Sequence, residues 1–321
     1  MTAEPGTRIL TSDRDAIAAA ARCLKSGGLV AFPTETVYGL GADATNGTAV
    51  ARLYAAKGRP SFNPLIAHVA SREAASRLAQ FTADAEKLAA AFWPGPLTLV
   101  LAKAPDCPVA DLALAGLDSV AVRMPQHPIA RALLAEFAGP IVAPSANRSG
   151  HVSPTSAQHV LADLRGRIDM VIDGGPCPVG VESTIVACLD RPALLRPGGL
   201  PRAEIQRVVG HPLTDAAKAD EAPRAPGMLR SHYAPRAKLR LDANGARAGE
   251  ALLAFGPNPP AADTMLNLSQ RGDLVEAAAN LFSHLRALDA SGAAAIAVMK
   301  VPREGLGEAI NDRLARAAAP R

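Results

Sequence analysis

Three polar stretches contain residue types suited to binding an anionic ligand, and two of them follow apolar, strand-like runs. The stretch at 143–160, APSANRSGHVSPTSAQHV, is dense in hydroxyl side chains. Ser153 followed by Pro154 predicts a helix start, because serine caps helix N-termini and proline suits the first turn. Free N–H groups at a helix start attract anions, so a ligand could bind there beside the Ser145 and Ser153 hydroxyls. Equally, Ser153 could only cap its helix while the other polar side chains face water.

A second stretch, KGRPSFNPLIAHV at 57–69, combines two cations with an amide and an imidazole. Lys57 is predicted to end a helix, with Gly58 as the residue that terminates it. Basic residues are favoured at helix C-termini by the helix dipole alone, so a structural role is a real alternative. Arg59 and Lys57 next to Asn63 and a strand-borne His68 nevertheless suit a polyphosphate, because arginine offers planar paired donors and lysine a mobile charge.

The third stretch, FPTETVYGLGADATN at 32–46, contains the pattern Gly39-x-Gly41-x-x-Ala44. This resembles a dinucleotide-binding fingerprint, but Pro33 and a hydroxyl-rich run separate it from the preceding strand, so we reject that interpretation. We expect instead a turn with positive φ at these glycines.

Further polar residues sit on apolar strands: Ser119 and Arg123 in SVAVRMP, Ser183 in ESTIV, and Arg196 in LLRPGG. A buried arginine is costly unless it has an anionic partner, and structural ion pairing is the usual alternative to ligand binding. The sequence has no Walker A loop and no Gly-x-Ser-x-Gly nucleophile elbow, so a bound nucleotide would need an uncommon cradle.

The elements that must position these residues alternate between strands and helices, which predicts an α/β fold. Two neighbouring strand pairs lack an intervening helix, so the sheet should be mixed. Strands are predicted at 28–32, 65–70, 97–102, 119–123, 140–143, 168–173, 183–188 and 193–196. Helices are predicted at 13–26, 48–57, 72–80, 83–92, 127–137, 154–165 and 202–209.

A length of 321 residues predicts two domains, one larger than the other. We place the first at 12–210, a linker at 211–236 and a smaller α/β domain at 237–321. In the second domain, strands are predicted at 238–241, 251–255, 264–268 and 294–299, and a helix at 272–288. Within the linker, PGMLRSHYAP carries Met228, Arg230, His232 and Tyr233, which suit a segment that docks onto another surface.

The chain is 49% hydrophobic and 20% charged, which predicts a globular protein. Its net charge of +4 favours anionic ligands, while an aromatic content of 3% argues against stacking on single-stranded nucleic acid. The four cysteines show no metal-binding spacing, so we expect reduced thiols. No signal pattern or membrane-spanning apolar run is visible, and we expect a cytoplasmic protein without membrane contact.

Taken in order, six motifs resemble the YrdC-type threonylcarbamoyl-AMP synthases: FPTETVYGLGADA, KGRPSFNPLIAHV, WPGPLTLVL, VAVRMP, PIVAPSANRSGHVSPTSAQHV and VGVESTIV. Two further stretches, PGMLRSHYAP and GLGEAINDRLARAA, resemble the linker and C-terminal domain of the long form of this family. The resemblance implies a twisted mixed sheet with flanking helices, a linker acting as an active-site lid, and a smaller Rossmann-like α/β C-terminal domain. It also implies a nucleotidyltransferase that converts L-threonine, bicarbonate and ATP to threonylcarbamoyladenylate, pyrophosphate and water. A downstream threonylcarbamoyl transferase would then modify tRNA, with which this chain would make at most weak contact.

The same resemblance implies roles for individual residues, with Lys57 and Arg59 as catalytic groups near the phosphates. Implied threonine contacts are Thr36, His68, Arg123, Ala143 and Ser183. Implied nucleotide contacts are Arg59, Asn63, Ser119, Ser145, Ser153, Arg196 and Tyr233. Mg²⁺ is expected on the ATP phosphates rather than on protein ligands. Alternatives are a module that binds double-stranded RNA or tRNA, and a related carbamoyl-transfer domain.

Overall fold

A mixed twelve-stranded sheet organises the N-terminal part of the computed structural model, which describes residues 6–215 and 233–319. Its order is β1-β9-β2-β3-β8-β4-β7-β6-β10-β11-β12, and β5 pairs with β6. The strands are β1 Arg8–Leu10, β2 Val30–Phe32, β3 Gly39–Asp43, β4 Ile66–His68, β5 Ala79–Gln80, β6 Leu97–Lys103, β7 Ser119–Arg123, β8 Ile141–Val142, β9 Met170–Ile172, β10 Thr184–Ala187, β11 Ala193–Arg196 and β12 Thr214–Asp215. Parallel and antiparallel pairs both occur, so the predicted mixed sheet is confirmed.

Helices flank this sheet, and their apolar faces build its core. They are α1 Arg14–Lys25, α2 Gly47–Lys57, α3 Arg72–Ser76, α4 Ala83–Phe92, α5 Asp111–Leu114, α6 Pro128–Phe137, α7 Ala157–Leu164 and α8 Arg202–Val209. Leu53 of α2 and Val160 of α7 pack in one cluster with Leu99 of β6, whereas α1 and α6 form a separate cluster with β2 and β9. As predicted, α2 ends at Lys57 and is closed by Gly58, whose φ of 61° is left-handed.

The C-terminal part is a four-stranded parallel sheet of order β13-β16-β14-β15. Its strands are β13 Lys238–Arg240, β14 Glu250–Ala254, β15 Met265–Asn267 and β16 Ala295–Val298, and its helices are α9 Leu274–Ala290 and α10 Leu306–Ala318. Val37, Val152 and Val181 of the N-terminal part share an apolar cluster with Leu281 and Phe282 of α9. The two parts therefore meet through a buried apolar contact.

The predicted helix start at Ser153 is wrong. The helix α7 begins at Ala157, and its cap is Ser156, whose hydroxyl accepts from the His159 amide. Pro154 and Thr155 stay outside the helix because their carbonyls bond elsewhere. The Pro154 carbonyl accepts from the Tyr38 amide, and the Thr155 carbonyl accepts from the Cys177 amide. The Ser153 hydroxyl is thereby free to donate to Oε1 of Glu182, at 2.5 Å.

The predicted positive-φ turn at Gly39 and Gly41 is also wrong, because both glycines lie in β3. Close packing explains the lack of side chains there. A Cβ on Gly41 would lie 2.9 Å from Cε1 of Phe32, and one on Gly39 would lie 3.1 Å from the Cβ of Ala143.

Other differences concern short elements. The helix expected at 72–80 stops at Ser76, and the chain then enters β5; β1, α5 and α10 were not predicted. The strand β12 falls within the predicted linker and pairs with β11. The rest of that linker to position 232, including Met228, Arg230 and His232, lies outside the described residues, and the domain limits stay predictions.

Candidate active site

A small polar cavity opens where β4, β7 and β8 approach the loops before β10 and after β11. It encloses about 40 Å³. Its lining contains the predicted residues Arg59, His68, Arg123, Ala143, Ser145, Ser183, Arg196 and Tyr233, together with Val37, Ile66, Pro144 and Glu182. Nucleotide-sized ligands occupy pockets of roughly 300 Å³ or more, so this cavity must widen before it can admit one.

Arg123 anchors one end of the cavity through a buried ion pair. Its Nη2 donates to Oε1 of Glu35 at 2.7 Å and to Oγ1 of Thr36 at 2.9 Å. The second carboxylate oxygen of Glu35 accepts from the Gln126 amide at 3.1 Å. Burial alone would raise the pKa of Glu35, but the Arg123 charge, together with the hydrogen bonds from Arg123 and from backbone amides, outweighs burial and lowers this pKa. The guanidinium is thus held rigidly at the cavity wall, where it can bind a carboxylate.

His68 lies beside Arg123, because the two residues are register partners on β4 and β7. Its Nδ1 is 3.1 Å from the carbonyl of Ile66, which can only accept, so Nδ1 carries the proton. Burial, and next the charge of Arg123, lowers the pKa of His68 to about 3. The imidazole is therefore neutral at physiological pH.

Ser183 and Arg196 form another part of the cavity wall, and both are buried. Arg196 donates from Nη2 to the Ser183 carbonyl at 2.8 Å and to the Ser183 hydroxyl at 3.2 Å. That hydroxyl is also 2.7 Å from Oγ1 of Thr98. Arg196 is placed by the pairing of β10 and β11, which brings it opposite Ile185.

A basic cluster lies toward the end of α2. Arg59 donates from Nε to the Asn63 carbonyl at 3.3 Å and from Nη2 to the Pro64 carbonyl at 3.0 Å. Lys57 does not line the cavity; its buried Nζ donates to the carbonyls of Ser145 and Asn147 behind the wall. Burial lowers the pKa of Arg59 to about 10, and burial followed by the Arg59 charge lowers that of Lys57 well below its usual range. Burial here disfavours the charged forms of these side chains. An anion that binds nearby stabilises those charged forms, so its binding is favourable.

Asn63 has an unusual environment. Its side chain is 1% exposed, and neither amide atom has a hydrogen-bond partner among the described residues. Leaving a buried amide unpaired costs about 1–3 kcal/mol, so such a group points to a ligand that satisfies it.

Besides Lys57, four predicted residues lie outside the cavity lining, and Asn63 is one of them. Thr36 contacts Arg123, and Ser153 reaches the wall through Glu182. Ser119 starts β7 and is half-buried, about 13 Å along the strand from Arg123 at the usual rise per residue.

Sequence reasoning did not assign three charged residues that shape the cavity: Glu35, Glu182 and Arg313. The first two lie next to predicted residues, Thr36 and Ser183, and this adjacency could have suggested them. Arg313 donates to Glu182 from 131 positions away, and no local pattern indicates that contact.

Comparison with known proteins assigns the family. A family profile described as "Telomere recombination" matches residues 22–198, and one described as "Threonylcarbamoyl-AMP synthase, C-terminal domain" matches residues 200–319. The threonylcarbamoyl-AMP synthase of Bacillus subtilis is 43% identical and covers 97% of this chain and 95% of its own length. This chain belongs to the threonylcarbamoyl-AMP synthase family. The synthase of Pyrococcus abyssi is 46% identical over 94% of each chain.

Solved structures agree with this assignment to the synthase family. The crystal structure of P. abyssi Sua5 complexed with L-threonine matches with a TM-score of 0.90 at 43% identity, covering 97% of this chain and 98% of that one. Escherichia coli YciO matches 60% of this chain with a TM-score of 0.53 at 21% identity, which indicates a shared fold only. The expected α/β fold is thereby confirmed. Among the described residues, no helix is long and apolar enough to cross a membrane.

Proposed function

We propose that this chain joins L-threonine, bicarbonate and ATP into threonylcarbamoyl-AMP and releases pyrophosphate and water. The observation that carries the proposal is that one cavity brings Arg123 together with Arg59 and Arg196. These guanidiniums can hold two separate anions, the carboxylate of an amino acid and the phosphates of a nucleotide. The full-length relatives are named for this reaction, and the solved P. abyssi protein binds L-threonine.

Threonine occupies the end of the cavity that Arg123 forms. The Arg123 guanidinium binds the carboxylate, and the neutral imidazole of His68 adds a hydrogen-bonding group without a competing charge. Thr36 holds Arg123 in place, Ser183 supplies a hydroxyl, and Ala143 lines the wall.

The nucleotide occupies the basic end. Arg59 and Arg196 stabilise the phosphates, and Lys57 supports them through the Ser145 loop. Asn63, whose carbonyl accepts from Arg59, would offer its unpaired amide to the nucleotide. Ser145 and Tyr233 complete this wall, Ser153 acts on it through Glu182, and Ser119 stays a prediction. Mg²⁺ enters with ATP as substrate; the described residues contain no group of three His, Cys, Asp or Glu side chains placed to hold a metal.

The reaction needs no protein nucleophile. Condensation of the threonine amine with bicarbonate gives a carbamate and water, and a carbamate oxygen then attacks the α-phosphorus. A new P–O bond forms as the bond from the α-phosphorus to the bridging oxygen breaks and pyrophosphate leaves. The chain's contribution is to orient two anions and to stabilise charge on the phosphates.

The product is a reactive mixed anhydride, which a separate threonylcarbamoyl transferase would pass to tRNA. That partner, a weak tRNA contact and a cytoplasmic location stay predictions. So does a lid role for the linker, which predicts that deletion of residues 226–235 lowers the threonine-dependent rate. Neither alternative, an RNA-binding module or another carbamoyl-transfer domain, is favoured by the relatives.

The test is pyrophosphate release from MgATP by the full chain, with threonine and bicarbonate each omitted in turn. We expect release only when both are present, and its loss in Arg123→Ala but not in Arg131→Ala, which alters an exposed arginine of α6. Release that is indifferent to threonine, or salt-dependent RNA binding without turnover, would overturn the proposal.

A further inference from the structure

The C-terminal helix α10 places one arginine against Glu182, a residue of the cavity wall. Arg313 is 0% exposed, although it belongs to the C-terminal part of the chain. Its Nε donates to Oε2 of Glu182 at 2.8 Å, its Nη2 donates to the Pro197 carbonyl at 2.9 Å, and its Nη1 pairs with Asp312. Both N-terminal partners adjoin nucleotide-side residues, since Glu182 lines the cavity and Pro197 follows Arg196.

Glu182 passes this contact on to Ser153. Each carboxylate oxygen of Glu182 has its own partner: Oε1 accepts from the Ser153 hydroxyl, and Oε2 accepts from Arg313. Burial alone would raise the pKa of Glu182, but Arg313, then Arg196 and the Ser153 hydroxyl, lower it to about 2. Without Arg313, this carboxylate would be a buried charge short of its nearest counterion, and it could no longer hold Ser153 in one orientation.

Tyr233 is held by the same part of the chain. The Arg313 guanidinium carbon lies 5.1 Å from the centroid of its ring, and Phe282 of α9 stacks on that ring with centroids 5.6 Å apart. The backbone φ of Tyr233 is 64°, a left-handed conformation that costs a non-glycine residue about 1–2 kcal/mol. Such strain persists only where tertiary contacts impose it.

We propose that Arg313 is a positioning residue for nucleotide binding, acting through Glu182 on Ser153 and directly on the ring of Tyr233. The C-terminal domain is then part of the active site and more than an appended module. This inference rests on the proposed function for the identity of the nucleotide.

A role only in holding the two parts of the chain together explains the Arg313–Glu182 ion pair less well. The two parts of the chain already share the apolar cluster around Phe282, and Arg202 pairs with Glu308 at 2.7 Å at a more exposed point of the interface. A fully buried ion pair adds little stability over an apolar replacement of similar size. We infer that this ion pair serves to orient Glu182 and, through it, Ser153.

The test compares Arg313→Met, which keeps side-chain length without charge, with Arg313→Lys, which keeps charge without the planar fork. Arg202→Ala is the control, because it removes a different interdomain ion pair without touching the cavity. We expect Arg313→Met to raise the KM for ATP at least about tenfold and the KM for threonine less than about twofold, with Arg313→Lys intermediate and Arg202→Ala unchanged.

Equilibrium binding of ATP without threonine separates this inference from the proposed function. If the wild-type chain binds ATP but shows no threonine-dependent pyrophosphate release, the function fails while the binding assay still tests Arg313. Wild-type ATP affinity in Arg313→Met, or in Arg313→Lys if the methionine variant does not fold, would overturn the inference. Equal weakening by Arg202→Ala would do so too, because it would show a general loss of interdomain contact.

Discussion

Arg123 and Glu35, 88 positions apart in the chain, form a buried ion pair of 2.7 Å under one end of the cavity. The pair fixes the orientation of the guanidinium that we propose binds the threonine carboxylate. Replacing Arg123 by lysine keeps the charge but loses the planar donors. We expect Arg123→Lys to raise the KM for threonine roughly a hundredfold while the KM for ATP changes little. Steady-state pyrophosphate release with each substrate varied in turn measures both, and equal increases in the two constants would contradict the assignment.

Replacing Asn63 should weaken ATP binding without lowering the stability of the fold. Its buried amide has no partner among the described residues. Asn63→Leu replaces this unpaired polar group by an apolar side chain of similar size. We expect the free energy of unfolding of the unliganded chain to stay constant or rise by about 1 kcal/mol, while ATP affinity falls at least about tenfold. Urea denaturation and titration calorimetry test the two halves. A variant that loses stability and retains ATP binding would show that Asn63 serves the fold.

Lys57 should take up a proton when the nucleotide binds. Burial and Arg59 lower its pKa in the free chain, and a nearby triphosphate favours the charged form and raises it again. Between those two pKa values, binding is accompanied by proton uptake. Calorimetric titration with ATP at several values between roughly pH 7 and 9, in buffers of different ionisation enthalpy, measures this uptake. Lys57→Met is the matched variant, and undiminished uptake in it would assign the proton to another group.

His68 should make the fold sensitive to acid. Its folded-state pKa of about 3 lies below the unfolded value of 6.5, so between these values only the unfolded chain binds the proton. The free energy of unfolding therefore falls as the pH drops below the unfolded value. From about pH 7.5 to about pH 5, the wild-type chain should lose roughly 2 kcal/mol more than His68→Gln does. Urea denaturation at both pH values decides the point, and parallel losses would mean that His68 titrates normally.

Local patterns predicted several elements of the N-terminal part well. The strand at 119–123 and the helices at 83–92 and 202–209 have the predicted limits, because apolar periodicity and capping residues act over a few positions. The glycines of β3 were misjudged for the opposite reason. Glycine is needed there because Phe32 and Ala143 pack too close to leave room for a side chain, and the fold brings these residues together from elsewhere in the chain.

By itself, the sequence determined the α/β class, the family resemblance and the residue types that suit anions, since these follow from composition, local periodicity and ordered motifs. Only the tertiary structure decided what each polar group contacts. Ser153 looked like a helix cap, and it instead completes a buried chain of contacts through Glu182 to Arg313. A buried hydroxyl or charge takes the partner that the packed elements place within about 3 Å, and no local pattern records a partner 131 positions away.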